Sequence, residues 1–437
     1  MDAIEEVEIV IVGGGICGLA TALALHRFVF CVKSLIFMSN HDLDLIYNVR
    51  TNLKSNRNML NRKGIRSVVL ERSETLRETG SGIAILTNGW RALDELGVGS
   101  KIRPTALPVQ RVCDIDLDSG KQRQAPASVG EARCVKRSDL INAMADELPL
   151  GAIRFGCDII SVNLDSKTSF PVLQLSNGSS IKAKALIGCD GSNSIVADFL
   201  ELKPKRIFAL CAVRGFTNYP NGHGFAPDLT RMIKGEVLCG RVPVDENLVF
   251  WFIVQKFNYQ GSKFPKDAEL IRQFSLDSIR NFPTERLEMV KNCDVASLSL
   301  TQLRYRTPWE ILLGKFRTGT VTVAGDAMHI MGPFIGQGGS AALEDAIVIA
   351  RCLSWKMLEA DQLEDSSKQI MSGKIGEAFE MYVKERRMRL VWLSAHTYLF
   401  GSLLETTSGL VKVMIGVTIL VLFHNPTYHT RYDCGRL

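Results

Sequence analysis

Short, nearly unbroken apolar runs recur along this chain, and each runs directly into a glycine-bearing turn. Val7–Val12 (VEIVIV) is rich in β-branched residues and reads as a buried parallel strand. Gly13-Gly14-Gly15-Ile16-Cys17-Gly18 follows it, and the helix formers Leu19–Leu25 come next. The same order returns in Ala185-Leu186-Ile187-Gly188, which leads into Cys189-Asp190-Gly191-Ser192. It returns again in Thr320–Val323, which leads into Ala324-Gly325-Asp326 and, past Pro333, into Gly336-Gln337-Gly338-Gly339-Ser340 and a helix over Ala341–Leu353.

Between these units the pattern shifts. Asn88–Leu96 is amphipathic and stops at Gly97, and a second helix opens at Ser138 or Asp139, either of which suits an N-cap. Val172–Leu175 and Ile181–Ala183 flank Asn177-Gly178, a strong hairpin signal. From Lys203 to Leu300 strands dominate (Ala209–Phe216, Met232–Leu238, Leu248–Val254), with few helical signals before Asp267–Arg280. The expected architecture is α/β, a Rossmann-like domain carrying an inserted, mainly β-sheet substrate domain and a C-terminal helical region. The expected boundaries are 1–202 and 301–400 for the first domain, 203–300 for the second, and 401–437 for an apolar helix and tail.

One stretch breaks the rhythm. A dinucleotide fold needs an acidic residue about 20 positions past its last loop glycine. Ile65–Leu70 ends in Glu71 as required, yet Glu71 lies 53 residues beyond Gly18. Removing Phe28–Arg62, 35 residues with six Asn and no clear periodicity, leaves a spacing of 18 and lets a helix ending at Arg27 meet Lys63-Gly64. We therefore read 28–62 as an insertion foreign to the domain, from an unspliced intron rather than an extruded loop, because structureless loops of this length are uncommon in compact domains. A dominant mature transcript encoding it would overturn that origin.

Composition changes little. The 437 residues carry a net charge of +6, of which 28–62 alone supplies +3, so no basic footprint for nucleic acid remains. Eleven scattered cysteines with no C-x-x-C pair, and seven histidines with no H-E-x-x-H, point to reduced thiols in a cytoplasmic protein and to no metal. Val411–Phe423 is apolar but holds thirteen residues, short of the about 20 a spanning helix needs, and reads as a packed or membrane-surface helix giving peripheral contact.

In Gly13-x-Gly15-x-x-Gly18 the first glycine allows the tight turn, the second lets backbone approach a pyrophosphate, and the third lets helix pack on strand. Together with Cys189-Asp190-Gly191 and the Gly325-Asp326 run, this set resembles the single-component FAD-dependent aromatic hydroxylases. The likeness is to the para-hydroxybenzoate and salicylate hydroxylase type, and within it to the plant branch that is also similar to zeaxanthin epoxidase. It covers nearly all of the chain outside 28–62.

The resemblance implies that Gly13, Gly15 and Gly18 hold the FAD pyrophosphate and Glu71 the adenosine ribose, with Arg72 and Arg137 as the nearby basic residues. It places Asp190 and Gly191 near FAD and the nicotinamide, and Asp326 at the ribityl chain. Gly339 and Ser340 offer N–H groups to the flavin pyrimidine, Ser340 standing where Asn is frequent, and Pro333 faces the reaction site. The residues alone also allow Asp190 as a turn former, Asp326 as a cap, Arg137 as a helix-end charge and His329 as a packed histidine, and His329 is given no catalytic role.

The implied reaction uses NADPH or NADH and O2 to hydroxylate or epoxidise a small lipophilic or aromatic substrate through a flavin hydroperoxide. The alternatives are an FAD-dependent reductase that leaves oxygen alone and an inactive chain broken by 28–62.

Overall fold

The computed structural model describes residues 4–38, 65–76, 81–257, 267–361, 368–425 and 427–437. β1 (Glu5–Val12) has Ile9, Val10 and Ile11 fully buried, because it is flanked by parallel strands and covered on both faces. Each such side chain contributes about 1.5–3 kcal/mol on leaving water. α1 follows at Ile16–Met38, past the expected stop at Arg27, since nothing in 28–38 is Gly or Pro and Phe28 buries its ring against Trp355. The rest of the stretch read as an insertion, from residue 39, lies outside the described residues.

Next come β2 (Ser67–Leu70), β3 (Gly82–Ile85), α2 (Thr87–Glu95), α3 (Gly99–Ile102), β4 (Arg111–Asp116), β5 (Gln122–Pro126), β6 (Arg133–Lys136) and α4 (Arg137–Ala145). β7 (Ile153–Arg154), β8 (Ile159–Leu164), β9 (Pro171–Leu175), β10 (Ser180–Gly188) and α5 (Ile195–Phe199) complete the first half. The strand-rich stretch holds β11 (Arg206–Asn218), β12 (Leu229–Lys234), β13 (Val237–Pro243) and β14 (Leu248–Lys256). α6 (Ala268–Ser278), α7 (Thr284–Lys291) and β15 (Ser299–Tyr305) follow it. The chain returns through α8 (Pro308–Leu313), β16 (Arg317–Thr318), β17 (Val321–Val323), α9 (Asp326–His329), α10 (Gly338–Asp361), α11 (Lys368–Glu405) and α12 (Gly409–Leu422).

Two main sheets result. The first runs β16-β17-β10-β1-β2-β7, parallel from β17 to β7, with β8 and β9 folded back beside β10. The β9–β10 hairpin forms as expected, with Gly178 at φ +88° in its turn. α1 packs on α10 and α10 on α11, closing the main core.

The second sheet runs β15-β11-β14-β13-β12-β4-β5. It therefore takes in Arg111–Pro126, from well before the strand-rich stretch. Met232–Leu238, expected as one strand, is instead the tip of the β12–β13 hairpin, because Gly235 turns at φ +58°. Alternate residues divide this sheet's faces. Val213, Trp251 and Ile253 pack under α6 and α7, while Leu210, Ala212, Phe216 and Phe250 face the first domain. The expected α/β fold with an inserted sheet and a helical C-terminal region is the one observed. Among the described residues no helix is long and apolar enough to cross a membrane.

Candidate active site

Three loops meet because β1, β10 and β17 are parallel neighbours whose carboxyl ends lie side by side, the crevice where open α/β sheets bind ligands. Backbone bonds lock the crest: Gly13 donates to Leu70 O at 2.8 Å, Cys189 to Val12 O at 2.8 Å and Ala324 to Gly188 O at 2.9 Å. Gly13 sits at φ +101°, where a β-carbon would lie 2.6 Å from Cys189 O. A β-carbon on Gly18 would overlap the Gly13 carbonyl. Gly15 has only Arg137 nearby, its Nη2 3.7 Å from where a β-carbon would stand. The loop is therefore closed on its inner side and open toward a cation at the N-terminus of α1.

Glu71 follows β2, beside the end of β1, with Leu70 paired to Val12. Its Oε2 accepts from Gly14 N at 2.7 Å and its Oε1 from Ser73 N at 2.9 Å, so it props the glycine loop. Arg72 is exposed next to it. The spacing of 53 residues is thus bridged in space, and the long stretch does not break the register of the two strands.

Asp190 Oδ2 accepts from Ile195 N at 2.8 Å, while Oδ1 is buried with no partner among the described residues. Burial pushes its carboxyl up from the ordinary value. Gly191 turns beside it at φ +76°. Burial likewise raises Asp326, with His329 and Arg137 pulling the other way. Its side chain still reaches open space, so it stands in a recess. Gly338 has open space before it, and Gly339 packs on Ile83 at the start of α10. Ser340 is buried with its side chain turned against Gly89, its Oγ without a partner among the described residues. Pro333 is exposed on a short 3-10 turn. An open glycine cradle, an orphaned buried carboxylate oxygen and a recessed carboxylate fit a dinucleotide.

Two groups had escaped the sequence reading. Beneath α10, Asp345 Oδ2 accepts from Gly325 N at 2.9 Å and lies 2.7 Å from His329 Nε2, while Arg386 Nε reaches Asp345 Oδ1 at 2.7 Å. Arg386 also pairs with Glu344 at 2.7 Å, and Arg389 and Asn88 complete the shell around Glu344. Burial alone would raise Asp345, but His329 and Arg386 hold it down at about 2. His329 is thus a packed histidine tied to the Gly325-Asp326 turn. Glu344-Asp345 inside an apolar helix was the signal.

The second is Arg214. It shares the face of β11 that carries Ala212 and Phe216, and lies opposite Phe252 of β14. Its Nη1 donates to Thr301 Oγ1 at 2.7 Å, and no carboxylate pairs with it among the described residues. Desolvation lowers its pKa. Phe250 of the same face meets Gly82, at the start of β3, so this guanidinium looks toward the domain that carries the glycine loop.

The FAD binding domain family matches residues 55–217 and 266–365, a stretch that opens beyond Gly13–Gly18. "Monooxygenase 1" of Arabidopsis thaliana is 50% identical over 99% of this chain and 100% of its own length. "Monooxygenase 2" of the same plant is 33% identical over 90% and 89%. In fold, the chain is similar to Klebsiella pneumoniae HpxO complexed with FAD and uric acid, with a TM-score of 0.73 at 18% identity over 97% of this chain and 96% of that one. It is also similar to 2-methyl-3-hydroxypyridine-5-carboxylic acid oxygenase, with a TM-score of 0.67 at 18% identity over 99% and 98%. With a matched FAD binding domain and a monooxygenase relative along its whole length, the chain belongs to the single-component FAD-dependent monooxygenases.

Proposed function

We propose that this monooxygenase uses NADPH or NADH and O2 to insert one oxygen atom into a small, flat, largely apolar molecule that carries one anionic or strongly accepting group. Held by the residues below, FAD would supply the hydride-accepting and oxygen-activating chemistry. Gly13, Gly15 and Gly18 hold its pyrophosphate, helped by Arg137, while Glu71 and Arg72 serve the adenosine end. Asp190, Gly191 and Asp326 line the middle of the cofactor. N–H groups of Gly339 and Ser340, at the positive end of a 24-residue helix, offset negative charge on the flavin pyrimidine. Pro333 faces the reacting side.

The observation that carries the substrate class is Arg214, a guanidinium with no carboxylate partner among the described residues, set among Phe216, Phe250 and Phe252. The rings exclude water and stack on a flat ligand, and the guanidinium fixes its orientation by a charge-assisted hydrogen bond. A relative that acts on an aromatic acid supports this reading: 3-hydroxybenzoate 6-hydroxylase from Klebsiella oxytoca is 23% identical over 88% of this chain.

The test is oxygen uptake by the flavin-loaded protein with NADPH or NADH and a panel of aromatic acids, phenols and polyenes. Uptake matched one for one by nicotinamide oxidation and an oxygenated product is expected. Nicotinamide oxidation with no oxygen in the product would replace the reading with a reductase. Arg214→Gln should lower kcat/KM for an acidic substrate by about 10–100-fold, mostly through KM. An unchanged KM would remove Arg214 from the site.

A further inference from the structure

We propose that α12 is a membrane-docking element: it dips into the apolar layer of one bilayer leaflet and seats the neighbouring pocket region against the membrane surface.

The sequence of α12, GLVKVMIGVTILVL, is apolar almost throughout, yet none of its residues is buried. Leu410, Val413, Met414, Leu420 and Val421 are each 62–72% exposed. At about 100° per residue, the exposed apolar positions of this helix spread over roughly 200°, more than half its circumference. A surface helix that packs on its own domain usually shows an apolar stripe of about 100° or somewhat more. A helix apolar over most of its circumference belongs inside a large protein core or in a membrane. A fluid hydrocarbon medium is what covers the remainder. Fourteen residues make about 21 Å of helix, against a hydrocarbon core of about 30 Å. The element can therefore enter one leaflet without crossing.

Its margins carry residues suited to the lipid–water boundary. Trp392, half exposed on α11, meets Phe423 at the C-terminal end of α12 with ring centroids 5.8 Å apart, and Tyr428 is exposed just beyond. Amphipathic rings of this kind sit at headgroup level. At the other end Lys412 occupies the first turn, where a long stem lets its ammonium reach the headgroups.

The α11–α12 connection is fastened to the pocket side of the molecule. A β-carbon on Gly401 would overlap Phe208 and come within 3.0 Å of Phe334, one residue past Pro333. Leu404 packs in the same cluster, and Glu405 Oε1 accepts from Ala209 N of β11 at 2.5 Å. A docked α12 thus holds the Phe208–Phe334 cluster at the edge of the second sheet close to the membrane surface, and a lipophilic substrate would arrive from the bilayer. That last step alone rests on the proposed function.

The experiment is co-sedimentation of the flavin-loaded full chain with phosphatidylcholine vesicles, beside the variant Val417→Glu/Leu420→Glu/Val421→Glu. All three positions are exposed, so flavin absorbance and Tm should match the parent chain. The parent is expected in the vesicle pellet and the variant in the supernatant, with binding at least about tenfold weaker. A parent that stays in solution with both phosphatidylcholine and phosphatidylserine vesicles, or a variant that binds equally, overturns the proposal. So does a lipid-free dimer that the variant dissolves while neither form binds vesicles, since the occupant is then a second copy. Binding is read without turnover, so its failure is separate from a failure of oxygen uptake.

Discussion

At Gly18 a single hydrogen atom decides whether the cofactor loop can form. Any β-carbon there overlaps the Gly13 carbonyl, and Gly13 cannot retreat because its own N–H is held by Leu70 O at 2.8 Å. Gly18→Ala should therefore fold around its sheets yet purify with less than about a tenth of the parent's bound FAD, read from flavin absorbance. His396 makes a prediction of a different kind. Its ring stacks on Phe423 at 4.1 Å, and desolvation lowers its pKa to about 4. The unfolded chain takes up this proton near pH 6.5, the folded one only near 4. The stability is whole above pH 6.5 and drains as pH falls toward 4, by about 3 kcal/mol. His396→Phe should flatten urea-midpoint stability over that window, and a parent-like slope would refute the assignment. Arg214 shows why such residues are hard to read from sequence. Whether it points to the pocket or to α6 depends on the phase of β11 and on which face the first domain covers, and neither is local.

Among the elements, α10 and α11 share the most consequential contact. Arg386 is completely buried between Glu344 and Asp345, and Asp345 also holds Gly325 N and His329. Arg386→Met would leave two carboxylates buried with one fewer cation. The expected loss is about 3–5 kcal/mol in urea denaturation, together with weaker FAD retention as the Gly325-Asp326 turn loosens. The strand–turn–helix units were legible because each is fixed by neighbours in sequence: an apolar run, a glycine turn, a helix start. The 38-residue α11 was not, since its packing against α10 rests on residues such as Tyr382, Arg386 and Leu393 whose period only a buried partner reveals. The β12–β13 hairpin was misread for a related reason. Met232–Leu238 is apolar enough to pass for one strand, and only pairing between Ile233 and Leu238 shows Gly235 as the turn.

For the whole molecule the question is whether residues 28–62 permit the fold. β1 and β2 are in register and Glu71 already holds Gly14, so the full chain should purify yellow. A Phe28–Arg62 deletion expressed beside it supplies the contrast. It removes Phe28 and the end of α1, so it should retain less flavin than the parent if that helix matters. Flavin in neither would undo the cofactor assignment. Glu71 was found from sequence because its distance from Gly18 could be reckoned with the stretch removed. The course of α1 to Met38 was missed by the same step, because setting the stretch aside from Phe28 ended the helix at Arg27 although no Gly or Pro stops it there.

The second sheet has a consequence for anyone who would exchange specificity between relatives. Its order ends β13-β12-β4-β5, and the β12–β4 join is a parallel pairing of Leu229–Ile233 with Val112–Asp116. A graft that transplants only residues 203–300 would carry β12 away from its native neighbour and expose a sheet edge to a foreign one. A working chimaera has to move both stretches as one cassette, and the chain must knit them late, once distant segments have met.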